Sequence, residues 1–154
     1  IERLPEIPNF TLLVGWTGEV AITDSLIQAT EKKRKVETDS AFYKEFLAKS
    51  HAIVQSLLSA WNEQDIPSIQ EGIRSNRALL NEFAQVMQLV IETPALQTLC
   101  DIAEQAGVCA KTSGAGGGDC GICFTQNETQ RQQIETQWAK AQIQVLPLTI
   151  AEAW

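Results

Sequence analysis

The residues best suited by type and spacing to do chemistry fall in one stretch, Ala110-Lys111-Thr112-Ser113-Gly114-Ala115-Gly116-Gly117-Gly118-Asp119-Cys120-Gly121-Ile122. Glycine adds nothing to a core and loses more backbone freedom on ordering than any other residue, so a run this dense calls for a purpose. Without Cβ atoms in the way, successive peptide N–H groups can close around an anion, and the chemistry this favours is capture of a phosphate ester by Ser113, Gly114, Ala115, Gly116, Gly117 and Gly118. The bland alternative is a mobile turn. Lys111, just before the turn, either points to solvent or contacts the substrate. Asp119 could serve as a general base, but a carboxylate directly behind a phosphate cradle would repel the anion. Its expected role is therefore to bond the turn's own N–H groups.

The remaining reactive residues offer less. Four cysteines are present, Cys100, Cys109, Cys120 and Cys123, and the last two have C-x-x-C spacing. On a strand, residues three apart point to opposite faces, so those thiols do not converge on one ion. We expect no metal site, and free thiols in a reducing cytoplasm. His51, the single histidine, has no nucleophile or carboxylate placed around it by the sequence and reads as a surface residue. Lys32-Lys33-Arg34-Lys35 beside Glu31 and Glu37 reads as a solvated helix face, with attraction of a phosphorylated substrate as the sharper alternative. A formal charge of −7 opposes nucleic-acid binding, and no apolar run reaches the roughly eighteen residues that cross a membrane. The opening residues, with Glu2, Arg3, Pro5 and Pro8, lack a signal peptide's apolar segment, and a start at Ile1 suits a fragment of a longer polypeptide.

Several elements must position the glycine cluster. Val108, Ala110 and Thr112 before it, and Cys120, Ile122 and Phe124 after it, alternate as strands do, which makes it a hairpin connection. Phe10 to Gly15 reads as a buried strand. Trp16, at its end, is either a core aromatic or a wall of the substrate pocket. Thr23 or Asp24 can cap a helix reaching about Val36. Thr38-Asp39-Ser40 starts a longer one, with Phe42, Phe46, Ile53, Leu57 and Trp61 at helical spacing and Leu47, Val54 and Leu58 widening the stripe. Asp65 and Pro67 open the next, to about Leu89, with Ile69, Ile73, Leu80, Phe83, Met87 and Val90 inward. Asn76 interrupts that seam, as a satisfied core amide or, with Arg77, as a side chain facing the pocket. Thr93-Pro94 starts a helix that Gly107 ends. Asn127 caps the last one, with Gln130 at the capping-box position and Ile134, Trp138 and Ala141 inward. Ile143, Val145 and Leu148 form a final strand that Pro147 confines to an edge or ends. The order predicts an α+β two-layer sandwich, a small antiparallel sheet with helices on one face, formed by one domain over residues 1–154.

Lys111 to Gly121, KTSGAGGGDCG, resembles the third signature motif of the GHMP superfamily of small-molecule kinases. The form with Asp119-Cys120-Gly121-Ile122 after the glycines is most similar to the superfamily's phosphomevalonate kinase branch. Leu13-Val14-Gly15-Trp16-Thr17-Gly18 resembles the segment that opens the C-terminal domain there, and the resemblance spans nearly the whole chain. It implies a ferredoxin-like fold with extra helices. The superfamily's ATP-phosphate loop, Pro-x-x-x-Gly-x-Gly-Ser-Ser, and the segment carrying its catalytic aspartate do not occur in this sequence. The resemblance therefore implies a C-terminal, substrate-side half whose partner is an N-terminal domain binding most of the ATP and Mg2+. The implied reaction is ATP-dependent phosphorylation of 5-phosphomevalonate, with no catalytic residue in this chain. The alternatives are a mevalonate kinase, a diphosphomevalonate decarboxylase, or a non-catalytic α+β module holding a small anion.

Overall fold

The computed structural model describes residues 4–19, 41–114 and 116–148. Its elements are β1 (Thr11–Trp16), α1 (Ala41–Asn62), α2 (Ile66–Met87), α3 (Pro94–Gln105), β2 (Ala110–Thr112), β3 (Cys120–Thr125), α4 (Glu128–Lys140) and β4 (Gln144–Val145). The strands form one sheet in the order β2-β3-β1-β4 with antiparallel neighbours. β1 and β2 therefore run the same way on either side of β3, the split arrangement of a ferredoxin-like fold. The expected α+β class holds, but not the placing of all helices on one face: α3 and α4 cover one face, and the extra helices α1 and α2 pack toward the other.

Short-range chemistry fixes most helix starts. The Asp65 carboxylate accepts from the N–H of Ser68 at 3.2 Å and from its hydroxyl at 2.6 Å, and Pro67 fills the first turn of α2. Thr93 Oγ1 accepts from Leu96 N–H at the start of α3. Asn127 accepts from Gln130 N–H at 2.9 Å, and the Gln130 side chain reaches back to Gln126 N–H, also at 2.9 Å.

Two cores follow from the alternation of the strands. On one face Leu13, Ala110 and Cys123 pack against Leu99, Ala103, Ile134 and Trp138 of α3 and α4. The fully buried Trp138 donates its indole N–H to the Leu99 carbonyl at 3.0 Å. Gly15 and Gly121 let α3 approach: a Cβ there would stand 2.9 and 2.5 Å from Leu99. Toward the opposite face, Phe124 stacks on Phe10 and meets Trp61 edge-on, and Ile69, Ile73 and Cys109 complete the cluster that seats the α1–α2 hairpin.

The apolar patterns need four corrections. Leu47, Val54 and Leu58 are 49%, 44% and 38% exposed, because α1 packs chiefly on α2 and buries one narrow edge. Val90 is exposed because α2 ends at Met87 and Gln88 turns left-handed (φ 49°), which ends the helical period, while Leu79 is buried instead. Ala141, expected inward, is the exposed C-cap of α4, and Leu148 is exposed beyond the two-residue β4. The buried amide of α2 is Gln70, not Asn76: it accepts Cys109 N–H at 2.6 Å and donates to the Phe124 carbonyl at 2.9 Å. The helix expected from Thr23 to Val36 and the basic run 32–35 lie outside the described residues. Among the described residues no helix is long and apolar enough to cross a membrane.

Candidate functional site: the glycine turn

β2 and β3 close on the turn through the Thr112–Gly121 pair and the Ser113 N–H to Cys120 carbonyl bond at 2.9 Å. Two neighbouring segments then fix the turn. Gly117 N–H donates to the Ile91 carbonyl and Asp119 N–H to the Glu19 carbonyl, both at 2.8 Å. The Asp119 carbonyl in turn accepts the N–H and the hydroxyl of Thr17, both at 2.9 Å. Gly116, Gly117, Gly118 and Asp119 all have positive φ, at 79°, 81°, 125° and 67°. At Gly116 a Cβ would stand 2.3 Å from the Ile91 carbonyl oxygen. The glycines thus serve close approach of main chain to main chain. That contact leaves the N–H groups of Gly114, Gly116 and Gly118 without a protein partner among the described residues. Ser113 and Gly114 are exposed and Gly116 and Gly118 buried, while Ala115 lies outside the described residues. An anchored main chain with N–H groups to spare can receive an anion without reorganising.

The other candidates divide. Lys111 is half-buried and donates to the Thr112 carbonyl at 2.6 Å, so its ammonium rests at the foot of the turn and burial lowers its pKa. Trp16 is half-buried, pairs with Cys120 across β1 and β3, and belongs to none of the apolar clusters. It adjoins Thr17, which holds the turn's far end. The Asp119 carboxylate is exposed and accepts only the Cys120 thiol, at 3.6 Å, among the described residues. Among the described residues none of the turn's N–H groups donates to it as expected; those of Gly117 and Asp119 go to the Ile91 and Glu19 carbonyls instead. Asn76 is half-buried, and among the described residues no hydrogen bond joins it to the turn. Its neighbour Arg77 grips Glu92 through two bonds, at 2.8 and 2.6 Å, and Glu104 at 2.9 Å.

Cys120 and Cys123 do stand on opposite faces of β3, one half-buried and one fully buried. Burial pushes the Cys100 and Cys123 thiols up to about 12, which makes them inert packing groups. An open cleft of about 820 Å³ lies at the far end of β1, lined by Phe10, Leu12, Arg131 and Leu146. Among the described residues its cation is Arg131, which is engaged by Glu128 and Glu135. The donors suited to phosphate are at the turn instead. Sequence reasoning missed Thr17, Ile91 and Glu92, since main-chain partners and ion pairs fifteen or more residues apart leave no period to read.

Residues 53–144 match the family model described as GHMP kinases C terminal. The chain is 39% identical over 153 residues to a phosphomevalonate kinase from Streptomyces sp. (strain CL190), covering 98% of this chain and 40% of that protein. It superposes on a Lin0012 protein from Listeria innocua with a TM-score of 0.88 and 34% identity, over 95% of this chain and 40% of that one. Against Streptococcus pneumoniae phosphomevalonate kinase in complex with phosphomevalonate and AMPPNP, the TM-score is 0.75 and the identity 31%, over 88% and 37%. L. major mevalonate kinase, at 20% identity and a TM-score of 0.73, shares the fold. The chain thus spans about two fifths of the length of the relatives it matches. The sheet order, the glycine turn and the extent of these matches together place this chain in the GHMP kinase family, over the family's C-terminal region.

Proposed function

We propose that this chain is the substrate-side, C-terminal domain of a phosphomevalonate kinase, and that a longer polypeptide completes it with an N-terminal domain. The reaction moves the γ-phosphoryl group of ATP to the phosphate of 5-phosphomevalonate. The P–O bond to ADP breaks and a new P–O–P link forms, giving 5-diphosphomevalonate. Such transfers ask a protein chiefly for positioning and for charge stabilisation. One observation supports the reading: the glycine turn is pinned at Gly117 and Asp119, while among the described residues the N–H groups of Gly114, Gly116 and Gly118 have no protein partner. Those donors and the Ser113 hydroxyl would hold the substrate phosphate. The Lys111 ammonium at the turn's foot would offset its charge, and Trp16 would wall the pocket.

Among the described residues no three of His, Cys, Asp and Glu converge. The magnesium ligands and general base are assigned to the N-terminal domain. The four free thiols fit a reducing, cytoplasmic setting. The test is a substrate panel on the longer polypeptide, in which 5-phosphomevalonate should be phosphorylated in preference to mevalonate. This chain alone should be inactive, and adding the N-terminal half should restore turnover. Phosphorylation by the isolated chain, or a preference for mevalonate, would overturn the proposal.

A further inference from the structure

Glu92 sits in the link between α2 and α3, one residue after the carbonyl that receives the turn. Its two oxygens accept from Arg77 at 2.8 and 2.6 Å, and one also accepts from Asn81 at 3.1 Å. Both members of the ion pair are largely shielded, with 14% of the Arg77 side chain and 11% of that of Glu92 exposed. Arg77 is also tied to α3 through Glu104 at 2.9 Å and Asp101 at 3.4 Å. This cluster fixes the 91–93 link to both helices. The link carries the Ile91 carbonyl that accepts Gly117 N–H and stands where a Gly116 Cβ would be. A two-pronged grip fixes orientation as well as distance.

We infer that Glu92, held by Arg77 and Asn81, is a positioning residue that keeps the glycine turn in its ligand-receiving shape through the Ile91 carbonyl. The inference rests on the reading of that turn as the phosphate-binding site. Arg77 and Glu92 act at one remove from the turn: a loosened link lets it sample shapes in which the N–H groups of Gly114, Gly116 and Gly118 diverge. Such residues govern how well a site is preorganised.

The experiment uses the longer polypeptide with Glu92→Gln, Arg77→Lys and the milder Asn81→Ala, which keeps a folded variant in hand if the first two misfold. Glu92→Gln should raise KM for 5-phosphomevalonate about tenfold, equivalent to ~1.4 kcal/mol of lost positioning. KM for ATP should stay within about twofold, and Asn81→Ala should show a smaller rise in the same parameter. Hydrogen exchange of the peptide spanning residues 113–119 should quicken in proportion, and Glu92→Asp should recover part of both effects. A variant that only melts earlier, with the KM for 5-phosphomevalonate and the exchange of that peptide unchanged, would overturn the inference. If the wild type fails to bind 5-phosphomevalonate, the functional reading falls, and the exchange comparison still decides whether Glu92 holds the turn.

Discussion

Replacing Gly116 by alanine places a methyl group where a Cβ would lie 2.3 Å from the Ile91 carbonyl oxygen and 2.6 Å from its Cγ2. The nearest obstacle is main chain, so no side-chain rotation relieves it. The left-handed backbone at φ 79° adds about 1 kcal/mol for any residue with a Cβ. Lifting the turn to escape the clash breaks the Gly117 N–H to Ile91 bond, worth about 1 kcal/mol net. Together these reach on the order of 2 kcal/mol, a fall of ~4–8 °C in the melting temperature of a chain this size. Gly114→Ala is the control: nothing lies within 4 Å of its Cβ, its φ is outside the left-handed region, and the change should stay within about 0.5 kcal/mol. Thermal melts followed by circular dichroism compare the two variants. Phosphate-ester affinity in the longer polypeptide should fall for Gly116→Ala; Gly114→Ala serves as the control for stability alone. If Gly116→Ala melts with the wild type, or both variants are equally damaged, the close approach to Ile91 is not what the glycine is for.

Gln70→Ala should destabilise by about 2–4 kcal/mol in urea unfolding, because it leaves Cys109 N–H and the Phe124 carbonyl without their partners. Burial raises Cys100 and Cys123 from 9.0 to about 12, so their contribution is whole below pH 9 and is lost as the pH climbs toward 12. Urea midpoints above pH 9 should therefore decline, by up to ~1.4 kcal/mol per pH unit for each thiol. At Glu92 burial works to raise the carboxyl, but the hydrogen bonds from Arg77 and Asn81 with the Arg77 charge outweigh it and hold it below the usual range. Its stabilisation is present at neutral pH and lost as the pH falls through that lowered value. The stability gap between wild type and Glu92→Gln should accordingly narrow below about pH 4.

Much of this protein is written in local sequence. The caps at Asp65, Thr93 and Asn127 and the alternation on either side of the glycines needed only neighbours three or four residues away, and the structure keeps each of them. The glycine density alone marked where main chain would approach something closely. Tertiary structure decided what that something was. Ile91, Glu19 and Thr17 come to the turn from segments distant in the chain: the Ile91 and Glu19 carbonyls accept the N–H groups of Gly117 and Asp119, and Thr17 donates to the Asp119 carbonyl. It decided also that Gln70 rather than Asn76 is the buried amide, since only the seating of α2 beside β2 and β3 places a donor and an acceptor within its reach. Helical period tells which residues share a face but not how much of that face another element covers, and so Leu47, Val54 and Leu58 continue an apolar stripe that α2 leaves exposed.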